Sequence, residues 1–245
     1  MNLDDMRRDV EELLKHDTSG HGMDHIDRVY HMAMRFARQE KADQDVVGLA
    51  ALLHDVDDYK IVGIEESKKL SNARALMEKY EIDIHTQVAV LEIISTMGFS
   101  KLLEGIRPMC LEGYIVSDAD MCDAMGASGI VRSVVYAVSN KGNGIIFDPG
   151  VYPNLNITLE EYNDRGYQTT HDTDSAINHV FEKMLKLHGL MLTESGRNES
   201  RVKHEFMIGF LKQYFKEQNQ PEWLEFLDRY VEELDCECCD SVCCR

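Results

Sequence analysis

The sequence predicts an all-helical protein, and two observations carry that prediction. Only four prolines occur in 245 residues, and apolar residues return at helical spacing, as in Val29, Met32 and Phe36 or Trp223, Phe226, Leu227 and Tyr230. A period near 3.6 residues with few helix breakers is the pattern of helices that each bury one stripe. The chain is long enough to bury one substantial core, and nothing in it demands a second. A single domain is therefore expected over residues 1–235, followed by a cysteine-rich acidic tail over 236–245.

In chain order, helical text covers Leu3 to Lys15, Asp24 to Gln39, Asp45 to Asp55, Ile64 to Tyr80, His85 to Met97, Gly113 to Ser139, Ser175 to Leu190, Glu199 to Glu217 and Pro221 to Leu234. Asp24 and Asp45 stand where an N-cap carboxylate would open the second and third helices. Gln220 and Pro221 open the last, since proline at the first helical position lacks only an amide that has no partner there. The third helix ends in the apolar run Leu49-Ala50-Ala51-Leu52-Leu53. Between Asn140 and Asp174 no periodicity is found, so a long irregular insertion separates the helices. Such a stretch is either a functional flap or a surface excursion, here with a short helix from Leu159 to Asn163.

Lys plus Arg number 26 against 44 Asp plus Glu, a net charge of −18. Nonspecific nucleic-acid binding needs a basic footprint, so that role is excluded. A small phosphorylated substrate is not, because a bound dication and a few local cations can reverse the field inside one pocket. No apolar run approaches the roughly 20 residues that span a bilayer, and the amino terminus has no signal-peptide apolar stretch. A cytoplasmic enzyme without membrane attachment is the expectation. Five of the seven cysteines fall in the terminal CECCDSVCC, which is not the distribution of a disulfide framework. Thiolates so spaced can bind a soft metal; the plainer expectation is a frayed tail with no part in catalysis.

The chemistry is concentrated in three segments. His25 sits in GHGMDHIDRV, His54 and Asp55 close AALLHDVDDYK, and Asp120 lies in SDADMCDAMGASGIVR. Two imidazoles and two carboxylates suit a borderline or hard dication that retains open positions for water or phosphate oxygen. Each residue alone has a plainer role: His25 shares a stripe with Val29, Met32 and Phe36, as a core histidine would. Helix geometry does not choose between Asp120 and Asp123, which share a face.

Taken together, this ordered set resembles the HD-domain metal-dependent phosphohydrolases. More narrowly it is similar to compact bacterial HD hydrolases with a DADxxDAxGxxGIxR segment and a later HxxEKxLKL segment, matched here by His179 to Leu187. The likeness covers about residues 18–215 and implies an HD-type helical fold. It also implies hydrolysis of a nucleotide or another small phosphorylated metabolite. It selects His25, His54, Asp55 and Asp120 as ligands of one divalent ion: manganese, iron, nickel, zinc or magnesium. Asp118 and Asp123 are left to orient ligands or cap helices. Asp58 and Lys60 match the family text after the His-Asp pair, where Asp58 can orient water. Arg132 and Lys183 also match and, with Lys60, can complement phosphate charge. Arg28 lies one turn from His25 and within reach of a phosphate. His21, in a glycine-bordered loop, is the candidate proton donor to a leaving oxygen, and Asp55 is expected to orient the attacking water. Two rivals remain: a regulatory HD protein that binds nucleotide without turnover, and a dinuclear HD diesterase or oxygenase. The latter needs histidines between Asp55 and Asp120, where only His85 stands.

Overall fold

The computed structural model describes residues 3–15, 22–139, 144–156 and 175–243. Its helices are α1 (Leu3–Leu14), α2 (Met23–Glu40), α3 (Gln44–Leu53), α4 (Tyr59–Val62), α5 (Ile64–Ser67), α6 (Ser71–Lys79), α7 (Ile84–Thr96), α8 (Phe99–Leu103), α9 (Leu111–Asp123) and α10 (Gly126–Val138). They continue with α11 (Ala176–Glu182), a 3₁₀ segment (Met184–Leu190), α12 (Glu194–Glu217) and α13 (Pro221–Cys243). Among the described residues there is no strand, and no helix is long and apolar enough to cross a membrane.

The chain divides into two compact units, Met1–Asp123 with Leu192–Gly196, and Ala124–Met191 with Arg197–Arg245. α3 is the centre of the first. Every residue from Val47 to Leu53 is buried, the signature of a helix that is apolar all round. α2 and α9 pack on it and on each other, and α7 also packs on α3. The amphipathic stripe of α2 contributes Ile26, Val29, Ala33, Phe36 and Ala37 to this core, and α1 adds Met6, Val10 and Leu14. α2 and α3 approach closely at Gly48, where a Cβ would lie 3.3 Å from Met34 Sδ.

Several expected helices are broken, each at a place the backbone explains. The stretch from Ile64 to Tyr80 contains α5 and α6, separated before Ser71 by Leu70 in the left-handed region at φ 51. Gly113 to Ser139 splits into α9 and α10 at Gly126, φ 70. Ser175 to Leu190 breaks at Lys183 (φ −128, ψ −60) into α11 and the 3₁₀ segment. Two caps are also corrected. α2 follows Gly22, so Asp24 lies inside its first turn. α3 is capped by Asp43, which accepts from the amides of Asp45 and Val46. Gln220 and Pro221 open α13 as expected, with Leu224 N–H donating to Gln220 O. That helix runs on to Cys243 rather than ending near Leu234.

The described part of the irregular stretch, 144–156, belongs to the second unit. The amides of Ala176 and Ile177 donate to the carbonyls of Ile145 and Ile146. Trp223 Nε1 donates to Pro149 O at 3.1 Å, and Tyr152 stacks on Trp223 with ring centroids 4.6 Å apart. The short helix expected over Leu159 to Asn163 lies outside the described residues.

Asp118 shows how Leu192–Gly196 joins the first unit. Its carboxylate is fully buried and accepts from the Leu192 amide at 2.9 Å, the Thr193 amide at 2.8 Å and the Thr193 hydroxyl at 2.7 Å. Thr193 Oγ1 in turn accepts from the Gly196 amide, as an N-cap of α12. A Cβ on Gly196 would lie 2.2 Å from Asp118 Oδ2, so only glycine fits. Replacing Asp118 by Ala leaves buried donors without an acceptor, which costs about 3 kcal/mol or more. Chemical denaturation of Asp118→Ala, and of Gly196→Ala, should show midpoints well below that of the wild type.

Candidate metal centre

The four expected ligands come from three elements of the first unit. His25 lies in the first turn of α2, His54 and Asp55 in the turn that ends α3, and Asp120 in the last turns of α9. They converge. His25 Nε2 is 3.1 Å from His54 Nε2, 3.3 Å from Asp55 Oδ2 and 3.5 Å from Asp120 Oδ1. His54 Nε2 is 3.4 Å from the same Asp55 oxygen and 3.9 Å from the same Asp120 oxygen. Bonds of about 2.1 Å set neighbouring ligands about 3.0 Å apart and opposite ligands about 4.2 Å apart. These five separations fall inside that range; the ligand atoms of His25, His54 and Asp120 all lie within 4.8 Å of one another, and Asp55 adjoins that group through the two imidazoles.

The imidazole orientations sharpen the argument. His54 Nδ1 is 2.9 Å from the carbonyl of Ala51, and a carbonyl only accepts, so the proton is on Nδ1. His25 Nδ1 is 2.7 Å from Asp123 Oδ2 and donates to it. In their neutral forms both rings therefore turn unprotonated Nε2 atoms toward the carboxylate oxygens. Acceptors facing acceptors at these distances repel unless a positive charge lies among them.

His25 registers that demand. Its burial opposes ionisation, but hydrogen bonds to Asp123 and Asp55 and the charges of Asp55 and Asp120 outweigh it, raising the pKa to about 10. Asp123 is the complement. Burial pushes its carboxyl up, yet the bonds from His25 and Arg28 prevail and hold it well below the usual carboxylate range. Arg28 grips Asp123 through Nε at 2.7 Å and Nη2 at 3.1 Å. With both imidazoles neutral, as metal ligands must be, Asp55, Asp120 and Asp123 against Arg28 leave two formal negative charges, which a dication would neutralise. The Asp120 side chain is 27% exposed whereas those of both histidines are nearly fully buried, so Asp120 is the more solvent-exposed member of the group.

The other expected site residues are distributed as follows. Arg28 adjoins the centre through Asp123. Asp58 is half-buried at the start of α4, and its amide donates to Asp55 O at 3.1 Å. Lys60 lies on α4, with its side chain outside the described residues, as is the whole of His21. Arg132 and Lys183 belong to the second unit. Sequence reasoning passed over Asp57, which is buried and accepts from the amides of Asn72 and Ala73. The run of acids in HDVDD was the only signal for it.

Residues 22–125 match the model of the HD domain. The chain is also 32% identical over 213 residues to the uncharacterized protein YpgQ of Bacillus subtilis, covering 85% of this chain and 89% of YpgQ. The chain belongs to the HD-domain family. Solved structures share the fold. A Lactobacillus plantarum protein is 32% identical with a TM-score of 0.72, covering 89% of this chain and 96% of its own. An HD-superfamily hydrolase from Bacillus thuringiensis is 30% identical with a TM-score of 0.67 and the same coverage. YpgQ itself, solved in complex with ADP, aligns at 27% identity and a TM-score of 0.60 over 87% of this chain and 93% of that one.

Removing the acceptor of the His25 Nδ1 proton frees that ring to turn and to change tautomer. Loss of such a supporting carboxylate typically weakens metal binding by about 10- to 100-fold. Asp123→Ala should show this in a competitive chelator titration; unchanged affinity would separate Asp123 from the centre.

Proposed function

We propose that this HD-family protein is a metal-dependent phosphohydrolase acting on a nucleotide or another small phosphorylated metabolite. The observation that carries the reading is the convergence of His25, His54, Asp55 and Asp120, with both imidazoles oriented by acceptors on their far side. The donor set fits one divalent ion of the manganese, iron, nickel, zinc or magnesium class. When bound, such an ion lowers the pKa of water and offsets charge on phosphoryl oxygens.

The chain's own residues supply the rest. Asp55 faces both imidazoles and is the group to orient the attacking water, with Asp58 joined to it through the Asp58 amide and the Asp55 carbonyl. Asp123 keeps His25 in the ligand tautomer. Arg28 is anchored by Asp123, and its side chain is 41% exposed, which suits a fixed cation facing a phosphoryl group. His21 is the proposed proton donor to the leaving oxygen. Lys60, Arg132 and Lys183 enter as phosphate-binding residues through the family motifs. That YpgQ was solved with ADP supports a nucleotide as the substrate class.

A dinuclear reading has no matching support among the described residues. His25, His54 and Asp120 form the one group of this kind there, and His85 is exposed in the first turn of α7. The decisive experiment is elemental analysis of the purified protein, followed by a panel of phosphomonoesters, phosphodiesters and nucleoside mono-, di- and triphosphates under each added metal. Hydrolysis with about one ion per chain is expected. Saturable nucleotide binding without turnover would instead identify a regulatory protein.

Two substitutions divide the roles. Asp55→Asn keeps the shape but removes a charged ligand, so metal content and turnover should fall together, turnover by at least about 100-fold. Lys183→Ala should retain the metal while kcat/KM on the best substrate falls; full kinetics there would remove Lys183 from the phosphate-binding set. Deletion of the last ten residues should leave both metal content and turnover near wild type.

A further inference from the structure

We infer that Asp57 and Asn72 form a clamp that sets the position of the His54–Asp55 turn and are positioning residues for the metal centre; the inference rests on the reading of that centre given above. Two of the four donors, His54 and Asp55, lie beyond the last helical residue of α3, in a turn over residues 54–57. The backbone bonds here are those of turns, Val56 N–H to Leu53 O at 3.3 Å and Asp58 N–H to Asp55 O at 3.1 Å. Something further must hold these donors if they are to meet those of α2 and α9 within a fraction of an ångström, as a metal centre requires.

The N-terminus of α6 provides the hold. Its N-cap position is Leu70, which has no side-chain oxygen to cap with and adopts φ 51, ψ 43, a conformation disfavoured for a residue with a Cβ. The cap comes from elsewhere. Asp57 Oδ1 accepts from the Asn72 amide at 3.0 Å and Oδ2 from the Ala73 amide at 2.9 Å. These are the second and third residues of the helix, the ones an N-cap side chain ordinarily serves. In the reverse direction Asn72 Nδ2 donates to the carbonyl of Val56 at 3.0 Å. The result is a reciprocal capping arrangement between segments 15 and 16 residues apart, with the logic of a capping box but without its locality.

Burial and charge favour the same arrangement. Asp57 is only 4% exposed, so its bonds to the helix are shielded from competing water. A carboxylate at a helix N-terminus also meets the positive end of the helix dipole. α6 is itself fixed, since Ala73 and Met77 are fully buried members of the first unit's core. The turn bearing His54 and Asp55 is thereby tied to a rigid neighbour. Alternate acids of HDVDD take different tasks: Asp55 turns to the metal centre, and Asp57 commits both oxygens to α6.

The test uses the full chain with Co²⁺ as the probe, because its visible absorption reports the ligand geometry as well as occupancy. Asp57→Ala removes the clamp. Asn72→Ala removes only the bond to Val56 and leaves the α6 amides on Asp57, so it retains the fold even if Asp57→Ala does not. Asp83→Ala is the control: Asp83 caps α7 through the amides of His85 and Thr86 and serves no donor of the centre. Co²⁺ affinity is expected to fall by about 10-fold or more in Asp57→Ala and by a few-fold in Asn72→Ala, with an altered spectrum in both. Asp83→Ala should lose thermal stability but keep the wild-type affinity and spectrum. Wild-type affinity and spectrum in Asn72→Ala and in any folded Asp57→Ala would overturn the clamp while leaving the metal centre standing. A wild-type protein that binds no Co²⁺ would overturn the metal reading, and the positioning role with it.

Discussion

The hydrogen bond from His25 Nδ1 to Asp123 is the contact on which the centre depends, because it decides which nitrogen of His25 faces inward. With the Nδ1 proton held by a carboxylate at 2.7 Å, the inward Nε2 of the neutral ring has no proton to offer His54, Asp55 or Asp120. His54 is constrained likewise by the Ala51 carbonyl. A protein interior avoids such an array of acceptors unless a cation compensates it. Its assembly therefore depends on packing that is independent of the centre. That packing is the buried length of α3 and the stripe of α2, whose apolar contacts bring His25 and His54 together.

The parts of this arrangement that were legible in the sequence are those written in local periodicity or in residue type. The stripe of α2 and the apolar run of α3 announce helices because their buried faces are contiguous in the chain. The interruptions are different. Gly126 marks its break by residue type, but Leu70 at positive φ is invisible locally, because leucine otherwise favours an uninterrupted helix. The helix that follows Leu70 is capped instead by Asp57, a tertiary contact that no local pattern encodes. Asp118 and Gly196 are the same kind of case: glycine is required there because a carboxylate from another helix occupies the space of its Cβ. The residue types of the cluster and their order were legible; the residues that orient them depend on contacts between distant segments.

In the second unit, the segment His179 to Leu187 has an evident structural task. Glu182 is buried and its Oε1 accepts from the Asn154 amide at 2.7 Å. Lys186 Nζ donates to the carbonyl of Leu155, and Asn178 Nδ2 donates to that of Val151 at 3.1 Å. One helical segment thus satisfies backbone groups along residues 151–155, which have no regular structure to do so. Tyr230 then secures the segment from α13 by donating to the carbonyl of Phe181. Of the motif residues in this region, Glu182 and Lys186 thus have a structural task.

Charge links the centre to its proposed substrate. A chain of net charge −18 repels phosphates on average, and the formal charges of Asp55, Asp120 and Asp123 exceed that of Arg28 locally. Without a cation the centre would repel the phosphoryl group it is proposed to cleave. A dication cancels that local excess, and Arg28, fixed by Asp123 but partly exposed, is then placed to face an anion without a net negative field around it. On this reading metal and substrate occupancy are coupled by electrostatics, each ion making the site more favourable for the other. Because Asp123 both orients His25 and anchors Arg28, one buried carboxylate sits at the junction of the two events.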